Sequence, residues 1–447
     1  MKWSRFVFKT KVENAYVLLC TKNSAIIALD MEEYSYINKH LFSPVFPFCS
    51  TLSSLIEMGF IVDDTEDEGE KFIQETASEW ENTDEMRIVL SGTTACNFKC
   101  AYCFENGIGK GAVLTENIIQ SLTNFVETTL KSHPTIKHFV LVLFGGEPTL
   151  NWNPLMLACE QLLKICNKSS VSFETRITTN GFLLDNQKLM DLKRYNCTNI
   201  EVTLDGPERI HNQRRMLQNG SGTFRTIIRN IDDALRLECV PFVNVRINID
   251  RGNISYIEEL LIFLSSHFKK GTIIVSLGTV DPIPSQLTSQ QNCELYENNQ
   301  YLSIEEFSDY LIMIFPILDK YGFIISNVYS FDGNCIAKSR FSFVLNADGK
   351  IFSCMSLIGR DEYAAGNIGS HLEAASLARS FDFANYRKCL KKGCEFLPYC
   401  HTGCIFSGLV ENGSVSDHSC YYKSCAKVND FLLKLAYARG AKFETET

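Results

Sequence analysis

Met86-Arg87-Ile88-Val89-Leu90 is followed, three residues later, by Thr94-Ala95-Cys96-Asn97-Phe98-Lys99-Cys100-Ala101-Tyr102-Cys103-Phe104. The first run is apolar and β-prone, which predicts a buried strand. The second sets three cysteines on the loop directly after it, spaced C-x3-C-x2-C. Three thiolates on a tight loop suit three irons of a cubane and leave the fourth iron without a protein ligand. A structural zinc site needs a fourth ligand, and the nearest histidines, His133 and His138, lie off this loop.

Outward from this point, strand and helix patterns alternate. Strands are expected over 86–90, 139–144, 172–178, 200–204, 242–249 and 272–277, with helices near 115–131, 153–166, 185–195, 223–238 and 254–268. Such alternation requires crossover connections and hence a parallel sheet. Six strands suit an open barrel or a doubly wound sheet, and periodicity does not choose between them. Polar and glycine-rich motifs collect at the strand ends: Phe144-Gly145-Gly146-Glu147-Pro148, Thr178-Thr179-Asn180-Gly181 and Thr203-Leu204-Asp205-Gly206-Pro207. Parallel α/β folds place their sites there. Glycines permit close backbone approach, and a carboxylate accepts hydrogen bonds from an ammonium. A polar turn former is the rival reading at each motif.

With the triplet and these strand ends in place, the chain resembles a radical S-adenosylmethionine (SAM) enzyme, whose defining motif is C-x3-C-x2-C with an aromatic, here Tyr102, before the last Cys. The resemblance covers 85–281 and implies a partial (β/α)6 barrel with a 4Fe–4S cluster on Cys96, Cys100 and Cys103. In that family the open iron chelates SAM. One electron from the cluster then cleaves SAM to methionine and a 5′-deoxyadenosyl radical that abstracts a substrate hydrogen. Gly145, Gly146, Glu147 and Pro148 match the stretch that binds the SAM amino group. Thr203 stands where a Ser or Thr touches SAM, Asn180 belongs to a matching strand end, and Asp205 is expected to point over the site. Arg215 and Asn248 are weaker candidates for the SAM carboxylate and ribose. An external one-electron reductant of the flavodoxin or ferredoxin type is implied.

A second cysteine field follows. Cys335, Gly349 and Cys354 are spaced C-x13-G-x4-C. Cys389, Cys394, Cys400 and Cys404 follow as C-x4-C-x5-C-x3-C, and then come Cys420 and Cys425. This resembles the SPASM extension of radical SAM peptide-modifying enzymes, except that its C-x2-C is C-x4-C here, which puts Cys389 in question. The resemblance implies two auxiliary 4Fe–4S clusters: Cys335, Cys354 and Cys404 on the first, and Cys389, Cys394, Cys400 and Cys420 on the second, with Cys425 as alternative to Cys420. The first lacks a fourth ligand and so offers an open iron. A zinc-ribbon-like domain is the rival reading.

Two subfamilies share this layout. Anaerobic sulfatase maturases often carry an Asp after the Cys of G-x4-C, where this chain has Met355. Maturases of ribosomally made peptides form thioether or carbon–carbon crosslinks in a precursor, and the N-terminal region favours them. Its hairpin signal, two apolar runs around Thr21-Lys22-Asn23-Ser24, and its helical patterns resemble leader-recognition domains that clamp a peptide on a strand edge. The organisation expected is 1–84 N-terminal α+β domain, 85–281 barrel, 282–330 bridging helical segment with Ser303 as cap, 331–430 cysteine-rich iron–sulfur domain, and 431–447 terminal helix and tail. The acidic stretch 63–70 is expected to be solvated linker.

The totals set bounds. The 447 residues call for more than one core. A net charge of −9 argues against nucleic acid as partner. No apolar run reaches the roughly 18 residues that span a bilayer, and Lys9, Lys11 and Glu13 interrupt any signal-peptide core, so the cytosol is expected. In that reducing compartment the 18 cysteines are metal ligands or small buried hydrophobes rather than disulfides. Cys20, Cys49, Cys159, Cys166, Cys197, Cys239 and Cys293 fall in the second group. A non-enzymatic electron carrier or zinc-binding protein stays in view, but it leaves the glycine-rich strand end unexplained.

Overall fold

The computed structural model describes residues 1–41, 50–105, 111–280, 300–325, 335–368 and 381–440. Cys49 and Cys293, and residues 282–299 and 326–330 of the expected bridging segment, lie outside these.

In the N-terminal region, β1 (Lys2–Trp3) pairs antiparallel with β5 (Ile61–Val62), and β2 (Val7–Lys11), β3 (Ala15–Cys20) and β4 (Ala25–Asp30) form a meander with β3 central. The hairpin forms at Thr21–Ser24, with Ser24 left-handed at φ 61°. Helices Met31–His40 and Ser50–Glu57 close a small core of Leu18, Leu29, Ile37, Leu52, Leu55 and Phe60. The acidic stretch departs from expectation. Asp67 caps a helix over Glu68–Glu81, accepting from the Glu70 N–H. Glu68 is buried, accepting from the Ser4 hydroxyl and from Arg5 N at 2.9 Å. An acid at a helix start faces the positive end of the dipole, so charge density there marked a helix N-terminus rather than a linker.

The central sheet runs β12-β11-β10-β9-β8-β7-β6-β13-β14-β15. Its parallel strands are β6 (Glu85–Ser91), β7 (His138–Phe144), β8 (Ser172–Thr179), β9 (Cys197–Thr203), β10 (Val243–Ile249), β11 (Ile273–Thr279) and the short β12 (Ile324–Ile325). The order is sequential. A doubly wound sheet would reverse direction at a switch point; here every crossover advances the same way, as a partial barrel requires. Helices Glu116–Ser132, Trp152–Lys168, Asn186–Arg194, Phe224–Arg236 and Ile257–His267 supply the crossovers, and their apolar faces share one large core with the strands. Ser303 and Glu306 form the expected capping box before helix Ile304–Lys320.

The edge of the barrel sheet was not foreseen. β13 (Ser342–Leu345), from the cysteine-rich region, pairs parallel with β6, Ser342 opposite Arg87 and Leu345 opposite Leu90. β14 (Lys350–Phe352) and β15 (Gly366–Asn367) continue antiparallel. The β13–β14 turn is closed by Gly349 at φ +86°, its N–H on Asn346 O at 2.9 Å; this is the glycine of the C-x13-G-x4-C motif. Val344, Phe352, Leu357 and Phe406 pack on Val89 and Phe144, seating this region on the barrel.

The N-terminal region is not a separate appendage either. Phe6, Phe72 and Ile73 pack on Phe381, Tyr386 and Leu397, and Val17 and Leu19 on Leu433. Arg5 donates to Leu390 O at 2.7 Å, and Arg387 reaches Glu70 at 2.9 Å. The last helix begins at Tyr422, not near 431, and therefore carries Cys425.

Candidate active site at the strand ends

The loop after β6 is stitched on two sides. Gly146 N donates to Thr93 O and Glu147 N to Ala95 O, both at 2.9 Å, while Lys99 N donates to Met216 O at 2.8 Å and Gln218 N to Asn97 O at 3.1 Å. The β7 end and the segment after Arg215 thus fix the cysteine loop between them. The two glycines are needed for this approach. A Cβ on Gly145 would lie 2.5 Å from Thr93 O, and one on Gly146 would lie 2.5 Å from Ala95 O. Gly146→Ala is therefore expected to push the cysteine loop away, destabilising the fold by about 1–3 kcal/mol and lowering iron occupancy at the triplet. Thermal melts and iron analysis check this; an unchanged iron content would show that the loop tolerates the displacement.

Cys96, Cys100 and Cys103 line one cavity of about 430 Å³ with Tyr102, Gly145, Gly146, Glu147, Asn180, Thr203, Arg215 and Asn248. Eleven of the residues picked from sequence thus converge, with Thr203 and Asn248 brought from separate strand ends. Pro148 does not face the cavity; it is buried at the start of a helical turn, Pro148–Asn151. The Glu147 carboxylate, expected to meet an ammonium, is fully buried. It accepts from Thr149 N and Oγ1 (3.0 and 2.6 Å), Thr179 Oγ1 (2.7 Å) and Asn180 N (2.8 Å). Its structural task here is to tie the β7 and β8 ends together.

Asp205 also departs from expectation. It is fully buried under the cavity instead of pointing over it. Its carboxylate accepts from the Tyr102 hydroxyl and from Asn248 N at 3.1 Å. Arg215 donates to the Tyr102 hydroxyl at 2.5 Å and lies over Phe98. Arg214, missed in the sequence, grips Asp250 through two bonds of 2.9 and 2.8 Å. Burial and the two arginines hold His211 well below the usual histidine range. It is therefore neutral, accepting from Asp205 N at Nδ1 (3.4 Å) and donating through Nε2 to Thr223 Oγ1 (3.0 Å). Tyr102 is thus a brace between cavity and floor.

The cavity has a second wall that sequence did not reveal. Met355, Ser356 and Phe406 come from the cysteine-rich region, and Glu105, Glu201 and Arg246 also line the cavity. Glu105 lies two residues after Cys103; burial pushes its carboxyl up to about 7, with Arg360 opposing. Glu201 and Arg246 alternate with core residues on β9 and β10, a period-two signal visible in hindsight.

The cysteines of the second field are distributed between two neighbourhoods. Cys354 interacts electrostatically with Cys404 and Cys335. Cys389, Cys394, Cys400 and Cys420 line a separate cavity of about 590 Å³. The longer C-x4-C gap is absorbed by a helix end. Helix Phe383–Lys391 stops after Cys389, Gly393 turns at φ +67°, and Cys394 N returns to Cys389 O at 3.3 Å. Cys420 is exposed at the cavity mouth, whereas Cys425 is fully buried on its helix. Cys20, Cys159, Cys166, Cys197 and Cys239 are buried thiols, as expected.

The donor chemistry fits iron–sulfur clusters. Burial pushes the Cys96 thiol up to about 12 and raises Cys100 and Cys103 as well. Cys354 and Cys394 also rise to about 12 and Cys400 to about 11. Such thiols ionise only against a strongly cationic centre, so cluster loading must release protons. Among the described residues no three His, Cys, Asp or Glu close on a single-ion site; the triplet and the Cys389, Cys394, Cys400 and Cys420 thiols instead stand around cavities.

A parallel sheet with a cysteine loop and glycine-rich strand ends converging on one cavity defines a radical SAM architecture. Residues 90–264 match the family model described as the Radical SAM superfamily, and this segment is a radical SAM domain. Among named relatives, the radical SAM cyclopropyl synthase TigE of Paramaledivibacter caminithermalis is 25% identical over 233 residues, covering 48% of this chain and 46% of that protein. A cysteine-type anaerobic sulfatase-maturating enzyme of Clostridium novyi is 24% identical over 334 residues, covering 71% of this chain and 87% of that enzyme. Among solved structures, native anSMEcpe with bound AdoMet and Kp18Cys peptide superposes with a TM-score of 0.60 at 19% identity, covering 79% and 98% of the two chains. Streptococcus suis SuiB bound to precursor peptide SuiA gives 0.51 at 13%, covering 93% and 98%. No helix among the described residues is long and apolar enough to cross a membrane.

Proposed function

We propose that this protein is a radical SAM maturase acting in the cytosol on a ribosomally made precursor peptide, forming a thioether or carbon–carbon crosslink. One observation carries the reading. The cavity of the Cys96–Cys100–Cys103 loop is closed by Met355, Ser356 and Phe406, which flank Cys354 and Cys404. A substrate reaching the radical site therefore meets the cysteine-rich region at once.

Cys96, Cys100 and Cys103 would hold a 4Fe–4S cluster there, and two further sets would hold auxiliary clusters: Cys335, Cys354 and Cys404, and Cys389, Cys394, Cys400 and Cys420. Bound together, cluster and SAM supply reductive cleavage to a carbon radical, given one electron from a flavodoxin- or ferredoxin-type donor. The chain's own residues prepare the place. Asn180 donates to Asn97 at 2.8 Å and steadies the cysteine loop. Asp205, Tyr102 and Arg215 keep the floor rigid, while Thr203 and Asn248 present polar groups at the rim. In the N-terminal meander, β4 has no strand partner on its outer edge among the described residues, an arrangement suited to adding a leader peptide as a further strand.

The sulfatase-maturase reading has the longer sequence match in its favour. Against it, the residue after Cys354 faces the cavity and is a thioether, Met355, which cannot serve as a base. Two measurements test the proposal. Anaerobically reconstituted full-length protein is expected to hold about twelve irons, three cubanes' worth; about four would remove the auxiliary clusters. Co-expression with a small neighbouring open reading frame should give a peptide lighter by two hydrogens. A product aldehyde on a sulfatase peptide, with no crosslink, would favour the other subfamily.

A further inference from the structure

Three consecutive residues between Cys400 and Cys404 are left-handed: His401 at φ 46°, Thr402 at 76° and Gly403 at 86°. For a β-branched Thr this backbone is unfavourable and persists only where its surroundings impose it. Here they do. The Lys338 ammonium donates to Cys400 O at 2.9 Å and to His401 O. Tyr386 Oη bonds His401 Nδ1 at 2.8 Å, and Thr402 Oγ1 pairs with His418 Nδ1 at 2.9 Å. A Cβ on Gly403 would lie 1.8 Å from Ser419 O. The turn matters because it joins Cys400, of the larger cysteine set, to Cys404, of the smaller one.

Lys338 itself sits three residues beyond Cys335, with its N–H on Cys335 O at 2.9 Å. Its ammonium is withdrawn from water, and its electrostatic neighbours are Cys400, Cys335, Cys404 and Cys389, members of both sets. A desolvated cation beside neutral thiols is poorly compensated. Beside thiolate-ligated clusters, which carry net negative charge, it is well placed, and it favours the reduced, more negative state of each.

We propose that Lys338 is a counter-cation shared by the two auxiliary cluster sites, a positioning residue whose fixed charge raises the reduction potential of both while its hydrogen bonds hold the left-handed turn between them. This rests on the auxiliary clusters of the proposed function. Iron content separates the two ideas: about twelve irons in the parent protein keep the clusters, whatever Lys338 does.

The test uses the full reconstituted chain carrying Lys338→Gln, which keeps a donor for the carbonyls but loses the charge, or Lys338→Arg, which keeps the charge. In redox titrations followed by electron paramagnetic resonance, the Gln variant is expected to show both auxiliary signals shifted to lower potential, with the SAM-cluster signal unmoved. The Arg variant should match the parent. A Gln variant that fails to load auxiliary iron while the Arg variant loads fully supports the charge role as well. Unshifted potentials in Lys338→Gln, a shift of one auxiliary cluster alone, or failure of both variants to load would overturn it.

Discussion

Replacing Cys96, Cys100 and Cys103 together by Ala is expected to bring 5′-deoxyadenosine formation under dithionite down to the protein-free level, while about eight of about twelve irons remain. The reason is spatial. The triplet faces its own cavity, and Cys389, Cys394, Cys400 and Cys420 stand around a different one. No thiol of the second field lines the triplet's cavity, so none can substitute. The fold should survive, because the loop hangs from β6 and β7, whose Met86, Ile88, Leu90, Phe139, Leu141 and Leu143 are packed in the main core. Product chromatography and iron analysis on the same sample decide the matter. Residual turnover at parent rate would end the radical SAM mechanism for this site, and loss of all iron would show that the three sites assemble as one.

The second large effect is expected at Asp205. Asp205→Ala should cost about 3–5 kcal/mol, the range for removing one partner from a buried charge group. Four groups lose an acceptor or counter-charge together: the Tyr102 hydroxyl, Asn248 N, and the Arg214 and Arg215 guanidiniums, which lie 3.8 and 4.0 Å from the carboxylate. Arg214 retains Asp250, so the damage should centre on Arg215 and Tyr102. Asp205→Asn keeps an acceptor for Asn248 N and should fall between parent and Ala variant. Thermal melts of the cluster-free proteins measure the order. Equal stability of all three would mean that the arginines find other partners, and the bracing role would be lost. SAM affinity of the loaded Asn variant reports separately on how far the floor shapes the cavity.

Much of this was written in the chain. The parallel strands announce themselves in two ways: β6 and β7 as short apolar runs covered on both faces, and β8 and β10 through alternation of polar and core residues. The hairpin, the Ser303 cap and the buried lone cysteines follow from local rules of the same kind. The cysteine spacings marked the second field, and its division into two sets came from the family resemblance, because ligands interleaved over some 90 residues cannot be sorted by spacing. The acidic stretch at 63–70 misled for a local reason too: acids mark both solvated linkers and helix starts, and only the Asp67 cap tells them apart.

Tertiary structure decided what local pattern cannot encode. β13 joins β6 from about 250 residues away along the chain, and this brings Met355 and Phe406 to the wall of the triplet's cavity. No periodicity records which edge a short strand will choose; the choice follows from the apolar seat on Val89 and Phe144. Burial likewise reassigned Glu147 and Asp205, whose residue type suits a ligand contact but whose carboxylates are consumed by internal donors. A carboxylate's role depends on which donors surround it, and those donors come from strands that meet only in the folded sheet.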